Sequence, residues 1–146
     1  MLTGDDKNLE AIVKASELQS VHLLSVFEHP LGTPVPYNLS ISCIAERVSH
    51  LPGIRTGEDY HFHAKKLMKS GKIDFSFPKE VYPDKISGVD FYVMSVEITV
   101  PAFTVKQEYY TTIMKGYALS FIISFTKDEE RNTLINILKT MTFSKI

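Results

Sequence analysis

The sequence predicts an α+β fold, an α/β/α sandwich with a central antiparallel sheet flanked by helices. Three observations predict it. Between residues 91 and 125, three strand-like runs are joined only by the short turns Pro101-Ala102 and Lys115-Gly116, and turns that short connect antiparallel neighbours. The third run, residues 117–125, carries Leu119, Phe121, Ile123 and Phe125 on one face and Ala118 and Ile122 on the other. A strand that is apolar on both sides belongs at the centre of a sheet covered on both faces. Finally, Leu134, Ile135, Leu138 and Met141 form an amphipathic helical stripe that closes the chain.

The remaining elements follow from local signals. Asp5 and Asp6 favour a helix start at the positive end of the helix dipole, and Leu9, Ile12 and Val13 follow at helical spacing, so a first helix is expected to end near Leu18. Residues 21–27 read as a strand stopped by His29-Pro30. Residues 30–36, with three prolines that cannot donate to a ladder, read as a loop. Residues 38–48 alternate, with Leu39, Ile41, Cys43 and Ala45 on one face and Ser40, Ser42 and Glu46 on the other. Leu51-Pro52-Gly53 ends that strand. A helix then starts at Thr56, whose hydroxyl can cap it while Asp59 reaches back, and Ser70-Gly71 stops it after Tyr60, Ala64, Leu67 and Met68 have lined one side. Residues 73–77 read as a short edge strand closed by Pro78, and residues 80–82 as a further strand. Residues 91–100 and 103–114 form the paired strands before the central one. Thr126, with Glu129 three positions on, is expected to cap the last helix.

At 146 residues the chain fits one domain, residues 1–146, large enough to bury a core without metal or disulfide support. Apolar residues make up 44% and charged residues 23%, which is ordinary globular usage. The net charge is -1 and lysine and arginine read as spread along the chain, so no electrostatic footprint for nucleic acid or anionic lipid is expected. Cys43 is the only cysteine, which rules out an intrachain disulfide. No apolar run approaches the roughly 18 residues of a transmembrane helix. The first residues have neither a basic nor an apolar leader segment, which fits a cytoplasmic protein or an exported one whose leader has been removed.

Several strings carry a resemblance. Phe91-Tyr92-Val93, the Gln107-Glu108-Tyr109-Tyr110 strand, Lys115-Gly116-Tyr117-Ala118-Leu119 and the closing run through Leu138-Lys139-Thr140-Met141-Thr142-Phe143 resemble the C-terminal half of PsbP-like domains. The Thr56-Gly57-Glu58-Asp59-Tyr60 helix start is similar to the bacterial branch of that superfamily. Similarity covers about the last third of the chain and extends more weakly upstream to about Val21. The superfamily includes an extrinsic subunit of photosystem II, a Ran-binding nuclear-import factor and many uncharacterised bacterial proteins, often exported. The resemblance implies the α/β/α sandwich and little about activity, because the matching residues are a turn glycine, core aromatics and a closing helix.

No nucleophile elbow, Walker loop, dinucleotide-binding glycine fingerprint or His-Glu-x-x-His occurs. Asp59, His61 and His63 are the most tempting metal cluster, but residues two apart on a helix point to opposite sides, so a helix-surface histidine is the simpler account. Cys43 shares a face with Leu39 and Ile41 and reads as a small buried hydrophobe. Glu97 reads as a structural carboxylate paired with Lys106 or Lys115. Tyr109, Tyr110 and Tyr117 could line a groove, though such residues more often pack a sheet against helices. The Asn38-Leu39-Ser40 sequon lies within a strand and reads as chance. No cofactor and no metal are expected.

The sequence therefore points to a non-enzymatic protein-binding or accessory module. Its partner surface is expected on the loops carrying Leu31, Val35, Tyr37, Leu51 and Ile54, since loops on rigid scaffolds commonly carry function. A small-molecule or lipid-binding domain with a cleft between sheet and helix is the alternative, and an enzyme with dispersed catalytic groups is a third. An exposed strand at residues 73–77 would also allow edge pairing into a homodimer.

Overall fold

A computed structural model describes residues 20–144. The chain runs β1 (Ser20–Phe27), β2 (Ser40–Arg47), α1 (Gly57–Ser70), β3 (Phe75–Ser76), β4 (Tyr82–Ile86), β5 (Val89–Thr99), β6 (Thr104–Met114), β7 (Tyr117–Phe125) and α2 (Asp128–Lys139). The strands form one seven-stranded antiparallel sheet in the order β1-β2-β7-β6-β5-β3, with β4 also paired to β5. The helix expected before Leu18 falls outside the described residues.

The two-residue alternation sorts the side chains into two layers. Leu39 just before β2, Ile41 and Cys43 of β2, Phe121, Ile123 and Phe125 of β7, Tyr110 of β6 and Phe91 and Val93 of β5 meet Leu134 and Leu138 of α2 in the main core. Burying each of those two leucines contributes roughly 1.5–3 kcal/mol. Phe91, Phe121 and Phe143 pack with ring centroids 6.0–6.1 Å apart, so the segment after α2 seals the same layer. The opposite face carries Ile44, Ala118, Ile122, Tyr109 and Met94 and is covered by α1. As the double-sided apolar pattern of residues 117–125 predicts, β7 lies inside the sheet, between β2 and β6.

The approach of α1 to the sheet is closest at its first residue. A Cβ on Gly57 would lie 2.2 Å from the Thr111 carbonyl oxygen, so no other residue fits there without moving the helix. The start is capped as expected: the Thr56 hydroxyl accepts from the Asp59 amide at 3.2 Å, and the Asp59 carboxylate accepts from the Thr56 and Arg55 amides at 3.1 and 3.0 Å. One turn in, His61 is fully buried against β5 and its Nε2–H donates to the Tyr92 carbonyl at 2.9 Å. That acceptor fixes the tautomer and leaves Nδ1 without a hydrogen bond.

Four boundaries differ from the sequence reading. The strand expected at residues 80–82 is β4, Tyr82–Ile86, and runs through Pro83, which pairs opposite Tyr92. Proline is tolerated there because β4 is an edge strand and needs no donor on its outer side. Ser87 (φ 52°) and Gly88 (φ 81°) then make a tight left-handed turn into β5, so β5 starts at Val89, earlier than expected. Residues 73–77 yield only the two-residue β3. At α2, Glu130, one residue beyond the expected Glu129, reaches back to Thr126 and Lys127 at 2.7–3.0 Å, and Met141 packs on the core from beyond the helix end.

Burial holds the His61 imidazole below its ordinary pKa, although the neighbouring Tyr92 and Tyr109 carbonyls favour its charged form. The unfolded chain binds this proton near about pH 6.5 while the folded chain resists it. Stability therefore falls as pH drops through that value. Asp59, held below the usual carboxylate range first by the Arg55 amide and then by that of Thr56, acts only at lower pH. Urea unfolding followed from about pH 7.5 to about pH 5 is expected to show a decline that His61→Gln flattens. An unchanged slope in that variant would assign the decline to other groups.

Candidate functional site

Among the described residues, hollows lie on both faces of the sheet. Beneath α1 lies an apolar cleft of about 250 Å³, framed by Ile44, Met94, Ala118 and Ile122 of the sheet and Ala64 and Met68 of the helix. Two of the lining side chains, Ala64 and Ala118, are small, which leaves space that larger residues would reduce. At its rim the Tyr60 hydroxyl donates to the Glu46 carboxylate at 2.6 Å. Burial, then the Glu46 charge, pushes the Tyr60 hydroxyl far above its ordinary pKa, so it stays a donor. Thr111 and Ser120 share a hydrogen bond at 2.7 Å, and Tyr109 donates to Gln107 at 2.7 Å. Burial, then the field of Tyr37, lifts Tyr109 to about 12. Tyr60 with Glu46, Thr111 with Ser120 and Tyr109 with Gln107 are thus mutually engaged around this cleft.

On the α2 face, a smaller hollow of about 160 Å³ is lined by charged groups that include Glu97, Lys106, Glu108 and Arg131. Glu108 occupies an inward position of β6 and is buried, and Arg131 of α2 donates to it through Nε at 2.8 Å. Tyr110 donates to the other carboxylate oxygen at 3.2 Å. Both oxygens accept a hydrogen bond, so Glu108 serves as a tie between helix and sheet. The hydrogen bond to Glu108 holds Arg131 above even its ordinary pKa. Ser95, also buried, has no hydrogen-bond partner for its hydroxyl and borders the same hollow. Lys106 stands opposite Glu97 in the ladder, but its ammonium lies 3.8 Å from Asp128, and among the described residues Glu97 forms no ion pair with it or with Lys115.

The residues singled out in the sequence separate into distinct places. Leu31, Val35 and Tyr37 lie in the 28–39 loop at one end of the sheet. Asn38 closes that loop by accepting from the His29 amide at 3.0 Å and donating to the His29 carbonyl at 2.9 Å. Tyr37 turns inward, packing edge-on against Phe103 at 5.8 Å, while Leu31 projects from the loop and is 76% exposed. Leu51 and Ile54 lie beyond the other end of β2, roughly 25 Å away along an eight-residue strand. The five residues therefore do not form one surface. Asp59 is consumed by the cap, His63 is exposed, and His61 is buried, which corrects the expectation of a helix-surface histidine at that position. Tyr109 faces α1, Tyr110 faces α2, and Tyr117 is exposed, so the three tyrosines line no common groove. Cys43 is buried in the main core, where burial lifts its thiol to about 11.

Some functional candidates were overlooked. Asn38 was read only as a sequon. Glu108 shares its strand parity with Thr104, Lys106, Tyr110 and Thr112, a polar pattern that gives no sign of burial in the sequence. The run from Tyr60 to Ile73, with four lysines and no carboxylate, contradicts the reading of evenly spread cations.

No family model matches the chain, and no curated protein does. Among solved structures, the chain is similar to PA94 from Pseudomonas aeruginosa, a protein of unknown function named as a candidate regulator. That match has a TM-score of 0.60 and 10% identity over 84% of this chain and 83% of that one. It is also similar to cyanobacterial PsbP from Synechocystis sp. PCC 6803, with a TM-score of 0.49 and 13% identity over 87% and 88% of the two chains. At these identities the likeness concerns the fold alone.

Removing one partner of the Glu108–Arg131 pair strands the other. Arg131→Met is expected to cost about 2–4 kcal/mol in urea unfolding, less than for a fully buried pair because the guanidinium retains some solvent. The double variant Glu108→Leu/Arg131→Met should recover most of that loss. If the double variant is as unstable as the single one, the carboxylate is not what destabilises it. Thiol reagents should modify Cys43 at least about tenfold more slowly in native than in urea-unfolded protein. Equal rates would place the thiol outside the core.

Proposed function

We propose that the protein is a non-enzymatic accessory module that docks on a protein partner through β1 and the 28–39 loop that continues from it. The observation that carries this reading is the exposure of β1. Val21, Leu23, Leu24, Val26 and Phe27 are each at least 40% exposed, and from Leu24 to Phe27 the outer edge of β1 has no strand partner among the described residues. A row of free backbone donors and acceptors beside apolar side chains is the chemistry that a partner strand completes. The register shifts between His22 and Leu24, so the regular ladder runs from Leu24 to Phe27, and that segment is the one offered for pairing. Leu31 extends the same apolar surface from a loop held shut by Asn38, which presents it with little entropy left to lose. Leu51 and Ile54 form a separate surface at the far end of the sheet. The mutual engagement of Glu46 with Tyr60, and of Glu108 with Arg131, supports a binding role over a catalytic one.

The cleft beneath α1 supports a second reading, a small-ligand domain. Its volume of about 250 Å³ falls just below the roughly 300–1,000 Å³ usual for ligand pockets, which ranks this reading second.

Val26→Asp and Leu31→Asp place a charge on the proposed surface at positions where folding stability should change by only about 0.5 kcal/mol. Used as bait beside the unaltered chain in the proteome of its own source, both variants are expected to lose a specifically captured protein by about tenfold or more. Undiminished capture by folded variants would sink the assignment of this edge. A melting temperature raised by a co-purifying small molecule would move the second reading to first place.

A further inference from the structure

The solvent face of α1 has a composition that neither helix formation nor packing requires. From Tyr60 to Ile73 the chain carries Lys65, Lys66, Lys69 and Lys72 and no carboxylate. Apolar side chains stand among them in water: Phe62 is 57% exposed, and Ile73, just past the helix, is 58% exposed. The Lys66 ammonium sits 4.3 Å from the centre of the Phe62 ring, and those of Lys65 and Lys69 lie 5.2 and 5.5 Å from that of Phe77. Glu58, Asp59 and Glu80 border the helix's N-terminal end near Phe62 and Lys65, and the exposed Asp74 follows Ile73, so four lysines stand against one carboxylate toward the C-terminal side. A lysine in the last turn offsets the helix dipole, and that accounts for Lys69. It gives no reason for a phenyl ring and an isoleucine to remain exposed.

We infer that this face docks on an anionic phospholipid surface, with Phe62 entering the headgroup boundary and the four lysines contacting lipid phosphates and carboxylates. Cations interspersed with exposed apolar groups on one helix face match both components of a charged bilayer interface, the negative surface and the apolar boundary beneath it. An acidic protein would be met by the charges alone. A single-stranded nucleic acid would need a free aromatic face for stacking, and one face of Phe62 already carries Lys66. This surface belongs to α1, which covers β5 and β6, so it is separate from the β1 edge and its failure would leave that proposal standing.

The chain has no tryptophan, so Phe62→Trp installs a unique reporter at an exposed position. Mixed with phosphatidylserine–phosphatidylcholine vesicles at low salt, this variant is expected to shift its emission to the blue and to sediment with the vesicles. A Tyr117→Trp control on the start of β7 should not shift. Binding should weaken as salt rises, because the screening length falls from about 10 Å at 0.1 M to about 3 Å at 1 M. Lys66→Gln and Lys69→Gln, in variants that keep the melting temperature, should each weaken binding about fivefold. Four results would overturn the inference: no blue shift for Phe62→Trp, equal binding to pure phosphatidylcholine, indifference to the lysine changes, or preference for a single-stranded oligonucleotide over the vesicles.

Discussion

The register between β2, β7, β6 and β5 is the constraint on which the rest of the molecule depends. Leu24, Cys43, Phe121, Tyr110, Val93 and Tyr82 stand opposite one another across six strands in a single row on the α2 side. The next row sets Val26, Ile41, Ile123, Glu108 and Ser95 side by side. Because side chains alternate with period two, a slip of one residue in any strand would move its whole apolar set to the other face. The slip is opposed by the turns that join the strands, where Lys115 and Gly116 (φ 51° and 81°) and Ser87 and Gly88 (φ 52° and 81°) allow only one pairing. Once this register is set, Glu108 must point at α2 and Tyr109 at α1, and the chemistry of both faces follows.

The two helices are attached by different means. α2 lies on a continuous apolar layer through Leu134 and Leu138, with the Glu108–Arg131 tie at its edge. α1 is attached through polar contacts as well: its cap, the Tyr60–Glu46 hydrogen bond and the bond from His61 to the Tyr92 carbonyl. Directional contacts fix the position of a helix more narrowly than apolar packing does, and they respond to pH where one member titrates.

How much of this was legible in the sequence depended on whether a feature was local. The 91–125 meander, the central place of β7, the Thr56–Asp59 cap and the burial of Cys43 could be read because period-two alternation and cap spacing are properties of neighbouring residues. Pro83 misled because its meaning depends on whether its strand lies at an edge, which only the assembled sheet decides. His61 misled in the same way, because a histidine on a helix is exposed or buried according to what the helix covers. The grouping of Leu31 with Leu51 failed for a geometric reason: both flank β2, but an eight-residue strand keeps its two ends apart. The apolar character of β1 was visible, but its exposure was not, because an edge strand and an interior strand share the same side-chain alphabet.

The order of the strands also bears on how the chain can assemble. β5, β6 and β7 are consecutive and joined by tight turns, so their pairing closes only short loops. β2, by contrast, joins β7 through pairs such as Ser40 with Ser124, across a segment that contains α1 and the whole meander. The entropy of closing that long loop falls on a single strand-to-strand seam. The β1–β2 hairpin is thus a piece at the sheet's edge that the meander can hold without having to enclose it. The edge of β7 that receives β2 cannot distinguish its own hairpin from that of an identical neighbour. Reciprocal exchange of hairpins between two copies would bury the same residues in the same register, and the length of the 48–56 connection would decide whether it occurs.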